Sequence, residues 1–308
     1  MKIKKAILFL GLGIILLAGC GRPALYKDTQ IMMGTTVEVV SPTPEAAKIA
    51  FAEIRRIEGL LSIYKDDSEV TLLNRKGELR VSAETFYVLK KAVEFWQSSN
   101  GAFDITIAPL MDLWGFSSKS YRLPSQAEIR KTLEYVGSDK IIFNDKNNVV
   151  KFKVLGTRID LGAIAKGFAV DCAVKKLKEQ GITSCLINAG GDIYCLGDKS
   201  GRPWKIAIQD PRQSGFLGYL KLKDRAVATS GNYRQFFTKG DKRYAHILDP
   251  KSGYPAESRV SSVSVLAPDC LTADAVATAA YVLGKNQALK FTAKFKGVEL
   301  TAVTAIDK

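Results

Sequence analysis

His246 is the only histidine in 308 residues, and imidazole is the side chain whose unperturbed pKa lies closest to neutrality. Proton transfer at neutral pH therefore has one principal candidate. It stands in Arg243-Tyr-Ala-His-Ile-Leu-Asp-Pro-Lys-Ser-Gly-Tyr-Pro255, three residues before an Asp-Pro turn. Catalytic groups favour such loops, although a structural histidine fits the same place. In Thr272-Ala-Asp-Ala-Val-Ala-Thr278, a helix would put Asp274 and Thr278 on one face at i and i+4. A carboxylate with a hydroxyl suits a hard cation such as Mg²⁺. Asp274 equally suits a first turn, where it complements the helix dipole, and two oxygens alone are not a metal site.

Three further stretches carry chemistry-bearing types. Ile159-Asp-Leu-Gly-Ala-Ile-Ala-Lys-Gly-Phe168 reads as a strand end delivering Asp160, a turn, and a helix starting near Ala165 or Lys166. Helix-start amides and a lysine favour a phosphate; the alternative is Asp160 as N-cap with Lys166 in solvent. Leu186-Ile-Asn-Ala-Gly-Gly-Asp-Ile runs a strand into Gly190-Gly191, either a close backbone approach to a ligand or a plain hairpin turn. It lacks the G-x-G-x-x-G spacing of a dinucleotide-binding turn. Pro109, Trp114 and Phe116 in Gly101 to Phe116 fit the lining of a flat aromatic ligand's pocket or a piece of core.

The elements that must position these residues alternate along the chain. Strand patterns cover Met32 to Val40, Ser184 to Asn188, Trp204 to Ile208, Gly218 to Leu222, Ala226 to Thr229 and Val260 to Leu266, and Ile141 to Val154 reads as a hairpin. Helical patterns cover Pro44 to Tyr64, Ser82 to Ser98 with Ser82 as cap, Gly167 to Gln180 closed by Gly181, and Thr272 to Leu283 ended by Gly284. Strands joined by short turns predict antiparallel sheets flanked by helices, an α+β fold. No linker or repeat divides the body.

Residues 1–19 combine Lys2, Lys4 and Lys5 with an apolar run from Ala6 to Leu17, and Leu17-Ala-Gly leads into Cys20. This reads as a lipoprotein signal peptide cleaved before a lipidated Cys20, with residues 20–29 as a tether and 30–308 as the domain. The expected location is exported, on the periplasmic or extracytoplasmic face, with acyl chains anchoring the protein in the cell membrane. The formal charge is +14, and losing the three leader lysines leaves +11. The basic residues are scattered, so nucleic acid is not expected as a partner. Cys172, Cys185, Cys195 and Cys270 match no zinc spacing, so buried thiols are expected. A Cys185–Cys195 bridge stays open if the flanking strands pair.

Taken in order, Met33-Gly34-Thr35, Tyr64 with Ser68, Phe103-Asp104 to Phe116, Asp160 to Gly167, Asn188 to Asp192, Ala228 to Tyr233, His246 to Pro255 and Ala273 to Thr278 resemble the motifs of the ApbE family of FAD:protein FMN transferases. The resemblance spans most of the chain beyond the leader. It departs at Ser252, where many members have threonine before the glycine, a change the pattern tolerates. It implies a single compact catalytic domain that binds FAD and Mg²⁺. FMN would pass to a Thr or Ser hydroxyl of an exported or membrane redox protein carrying a flavinylation motif, giving a phosphoester and AMP. Residue by residue, it implies Mg²⁺ ligands at the Ala163 carbonyl, Asp274 and Thr278. It implies FAD contacts at Met33, Tyr64, Ala102, Phe103, Asp104, Asp160, Lys166 and the Leu248 backbone, and His246 as general base. Two other readings compete: a metal-dependent FAD pyrophosphatase using water, and a non-catalytic flavin-binding lipoprotein, which would need neither His246 nor the Asp274/Thr278 pair.

Overall fold

Seven strands build the central sheet of the computed structural model, which describes residues 24–233, 235–256 and 260–305. Its strands lie side by side in the order Tyr26–Met32, Thr35–Ser41, Cys185–Ala189, Asp192–Leu196, Arg225–Gly231, Val260–Ala267 and Glu299–Ala305. Every neighbouring pair is antiparallel, so the expected α+β class holds. On one face Val37, Val39, Ile187, Ala226, Ala228 and Val265 enter the main core. The helices Ala46–Leu61, Ala165–Glu179 and Cys270–Thr292 supply the other side of that core. Val40, Cys195, Val227 and Leu266 point the other way, under the hairpin formed by Trp204–Gln209 and Phe216–Leu222. With cover on both faces, all eight residues of Val260–Ala267 are buried.

The helix over Ala46–Leu61 buries the stripe its sequence predicts, Ala46, Ala50, Ile54, Ile57 and Leu61; Ile54 and Ile57 are fully buried, about 1.5–3 kcal/mol each from burial alone. Ser82 caps the helix Ala83–Ser98 by accepting from the Thr85 amide. Lys166 and Asp274 are brought together by a missing side chain. A Cβ on Gly167 would stand 2.3 Å from the Cys270 carbonyl oxygen, so glycine lets the two helices meet where Lys166 and Asp274 face each other.

Because the sheet is antiparallel, the Met33-Gly34 turn, the Gly190-Gly191 turn and the Ser230-Gly231 strand end all lie at one end of it. Tyr26, paired with Ser41, lies at the other.

Several expectations change. The last long helix runs Cys270–Thr292, with a break at Gly284 (φ 71°, ψ 167°) rather than an end. Asp269 is its cap, which moves Asp274 beyond the first turn and weakens its dipole-only role. Asp160 does not cap the helix at Ala165; it accepts from the Gly162 amide within the preceding turn. The strand Tyr26–Met32 begins inside the expected tether; being an edge strand with mostly exposed residues, it has no apolar alternation to reveal it. Cys185 pairs in register with Leu196, and Cys195 with Leu186. That one-residue offset sends the two thiols to opposite faces of the sheet, and both are free. The leader and Cys20 lie outside the described residues. No helix among the described residues is long and apolar enough to cross a membrane.

Candidate active site

The site grows from the turn between Ile159 and Ala165. Asn74 holds its start through two hydrogen bonds to the Ile159 backbone, both 2.8 Å, and the Asp160 amide donates to the Ile105 carbonyl at 2.8 Å. The Asp160 carboxylate accepts from Gly162 at 2.8 Å and shapes the turn; burial pushes its carboxyl above the ordinary range. Lys166, in the first turn of the next helix, reaches back to the Gly162 carbonyl at 3.0 Å.

The same ammonium lies 2.9 Å from Asp192 Oδ2 and 3.2 Å from Asp274 Oδ2. Both carboxylates are 3% exposed. Asp274 also accepts from the Gly167 amide at 3.2 Å. Burial, then the neighbouring Asp192 charge, raise the Asp274 carboxyl; Lys166 opposes them. Burial by itself would lower the Lys166 ammonium, but the two carboxylates more than offset it and hold it above its usual value. One ammonium thus serves two buried carboxyls, and with both ionised the centre is one positive charge short.

A divalent cation fits this centre. Apart from the ion pair, Asp192 Oδ2 is buried without a hydrogen-bond partner. Thr278, one turn after Asp274, has its hydroxyl 3.1 Å from Ser230 Oγ at the end of its strand. The half-buried Ala163 lies in the same turn as Gly162. These donors are all oxygen, the chemistry a hard cation takes. Among the described residues no three of His, Cys, Asp and Glu are grouped to hold a metal ion, so a cation here would rest on a mixed set of carboxylate, hydroxyl and carbonyl.

The other expected ligand contacts differ in exposure and in partners. Met33 adopts φ 50° and its amide donates to Glu58 at 2.6 Å. Tyr64 is 75% exposed, while partial desolvation of its hydroxyl, followed by Asp160 and Asp112, keeps the phenol above its ordinary value. Ala102 and Phe103 are buried, Phe103 in the main core. The Asp104 carboxylate is occupied by Thr106 and Ser138, from 2.6 to 3.1 Å; it builds the turn. A cavity of about 460 Å³ runs between Gly101, Asp104, Pro250 and Lys251, next to the Leu248 strand bridge. A larger one, about 1180 Å³, lies between Tyr87, Phe168, Asp171 and Phe295 and touches none of these residues.

His246 belongs to a second module. The strands Phe236–Lys239 and Lys242–Ala245 form a hairpin that packs with Trp114, Phe116 and Leu248 in a satellite core. Trp114 donates its indole N–H to the Gly253 carbonyl at 2.8 Å, which settles Trp114 and Phe116 as core. His246 Nδ1 lies 3.0 Å from the Gln235 carbonyl oxygen. A carbonyl only accepts, so Nδ1 carries the proton and Nε2 is the basic nitrogen of the neutral ring. Asp192, quoted in a glycine motif but given no role from sequence, is the residue that reading missed. Its signal was a carboxylate directly after the Gly190-Gly191 turn, at the sheet end where the site assembles.

The ApbE family model matches residues 33–302. The chain belongs to the ApbE family. Curated relatives named FAD:protein FMN transferase include one from Haemophilus influenzae, 32% identical over 88% of this chain and 86% of its own length. Another from Vibrio cholerae is 33% identical over 90% and 87%. Among solved structures, the ApbE protein of Thermotoga maritima superposes with a TM-score of 0.83 at 35% identity, covering 92% of this chain and 97% of that one. The flavin transferase ApbE from Vibrio cholerae gives 0.79 at 30%, covering 91% and 97%. This ApbE chain therefore shares its architecture with its relatives almost end to end.

Proposed function

We propose that this protein is an FAD:protein FMN transferase that moves FMN from FAD to a Ser or Thr hydroxyl of an exported or membrane redox protein, with a phosphoester formed and AMP released. The observation that carries the reading is the single ammonium of Lys166 shared by two buried carboxylates beside a helix start. Its relatives' names point the same way. Asp274, Thr278 and the Ala163 carbonyl would hold Mg²⁺, which when bound neutralises pyrophosphate charge.

Lys166 and the amides opening its helix attract the phosphates of FAD. Met33, Tyr64, the backbone of Ala102 to Asp104, and Leu248 border the remainder of the nucleotide, and Asp160 keeps the turn in shape. His246 Nε2 takes the proton from the acceptor hydroxyl as that oxygen attacks the FMN phosphorus and the bond to the AMP oxygen breaks. Before this, a signal peptide over residues 1–19 directs export, and a lipid on Cys20 fixes the mature protein to the membrane, its domain outside the cytoplasm.

Incubation with FAD, Mg²⁺ and a threonine-bearing acceptor domain tests the reading by chromatography of nucleotides. AMP should appear in step with acceptor consumption and stop on addition of EDTA. AMP formed at the same rate without acceptor would make the protein a pyrophosphatase, and bound FAD without AMP would make it a binder.

A further inference from the structure

The hairpin of Trp204–Gln209 and Phe216–Leu222 has two unlike faces. Trp204, Ile206, Ile208 and Leu222 point inward to the central sheet. Outward, Lys205 stands opposite Lys221, Ala207 opposite Tyr219 and Gln209 opposite Phe216. Phe216, Leu217 and Tyr219 are 60%, 41% and 55% exposed. The Phe216 and Tyr219 rings are 5.9 Å apart, and Lys205 Nζ lies 3.8 Å from the Tyr219 ring centre. Single exposed apolar residues are ordinary, but a contiguous aromatic group edged by lysines marks a contact surface.

The route of the chain names what it contacts. Leu25 packs against the cluster beneath this same hairpin. Cys20 is five residues earlier, no more than about 17 Å of extended chain away. Aromatic rings with a polar edge settle at headgroup depth, and lysines near a surface are drawn to anionic lipid. We propose that the outward face of this hairpin lies on an anionic membrane surface, with Phe216, Leu217 and Tyr219 at headgroup level and Lys205 and Lys221 against lipid phosphates. The inference rests on the reading of Cys20 as the anchor. It also orients the molecule. The strand Tyr26–Met32 carries the chain away from the anchor over seven residues, about 23 Å, to the Met33-Gly34 turn. The catalytic end thereby lies a strand's length along the molecule from the anchor.

The test uses residues 21–308, which retain every described contact, and flotation with vesicles of phosphatidylglycerol and phosphatidylcholine or of phosphatidylcholine alone. The protein should float with the anionic vesicles and be released by salt. F216S/Y219S and K205E/K221E should each weaken binding about tenfold or more, with AMP release and thermal midpoint unchanged. No binding of the unaltered protein, or equal binding by the variants, would overturn the proposal. So would variants that still float but no longer modify the acceptor, since the face would then be a protein-docking surface. Intact mass of the full chain recovered from membranes tests Cys20 separately: an unlipidated Cys20 with vesicle binding intact would remove the anchor reading alone.

Discussion

The two regions that the proposed mechanism joins are framed differently. Lys166, Asp192 and Asp274 stand on two helices and a central strand, with Gly167 packed against the Cys270 carbonyl and both carboxylates buried. His246 stands on a loop behind a two-stranded hairpin, steadied by a satellite core around Trp114. The difference follows from what each half must do. Charge stabilisation works best when the dipoles are fixed before substrate arrives. The proposed base, which would meet a hydroxyl on another protein, belongs where that protein can approach.

Breaking the rigid half should have the largest effect. D274A should abolish Mg²⁺ binding by calorimetry and lower turnover by about 10³-fold or more, several kcal/mol of charge stabilisation. H246A should lower turnover by about 10²–10⁴-fold while FAD affinity stays within a few-fold; poor FAD binding with normal turnover would contradict the base. W114A should cost about 3–5 kcal/mol of stability by chemical denaturation and reduce turnover with it. If the two halves are independent, Mg²⁺ binding survives W114A at temperatures where the protein remains folded.

Smaller effects sharpen the comparison within the rigid half. D192N removes the anion that shares Lys166, leaving the ammonium to Asp274 alone; Mg²⁺ affinity should fall about tenfold, roughly 1.4 kcal/mol. The pH dependence has a definite sign. Burial and then Asp192 hold the Asp274 carboxyl above its ordinary value in the metal-free protein, and the cation takes the ionised form. Affinity should therefore climb as pH rises from the ordinary carboxylate range toward the raised value and level off above it. Calorimetry across that range showing a flat affinity would contradict the assignment.

Much of this was legible in the chain. The Ala46–Leu61 stripe, the Ser82 cap and the helix after Ile164 follow from local patterns, and those patterns were strong because one face of each element is buried. Asp274 with Thr278, and Lys166 at a helix start, could be read from spacing. The missing information was long-range. That Asp192 faces Lys166 depends on strand register, that Asp104 spends its carboxylate on Ser138 depends on a contact 34 residues away, and that Cys185 and Cys195 diverge depends on an offset of one residue in pairing. The edge strand Tyr26–Met32 was silent because exposed residues carry no period.

Intact mass spectrometry of an acceptor domain after incubation with this protein, FAD and Mg²⁺ tests the central claim most directly. The account predicts an FMN-sized increment on a Ser or Thr of the acceptor, present with the unaltered protein and absent with D274A or after EDTA. An unmodified acceptor alongside steady AMP production, or an increment that D274A leaves untouched, would contradict it.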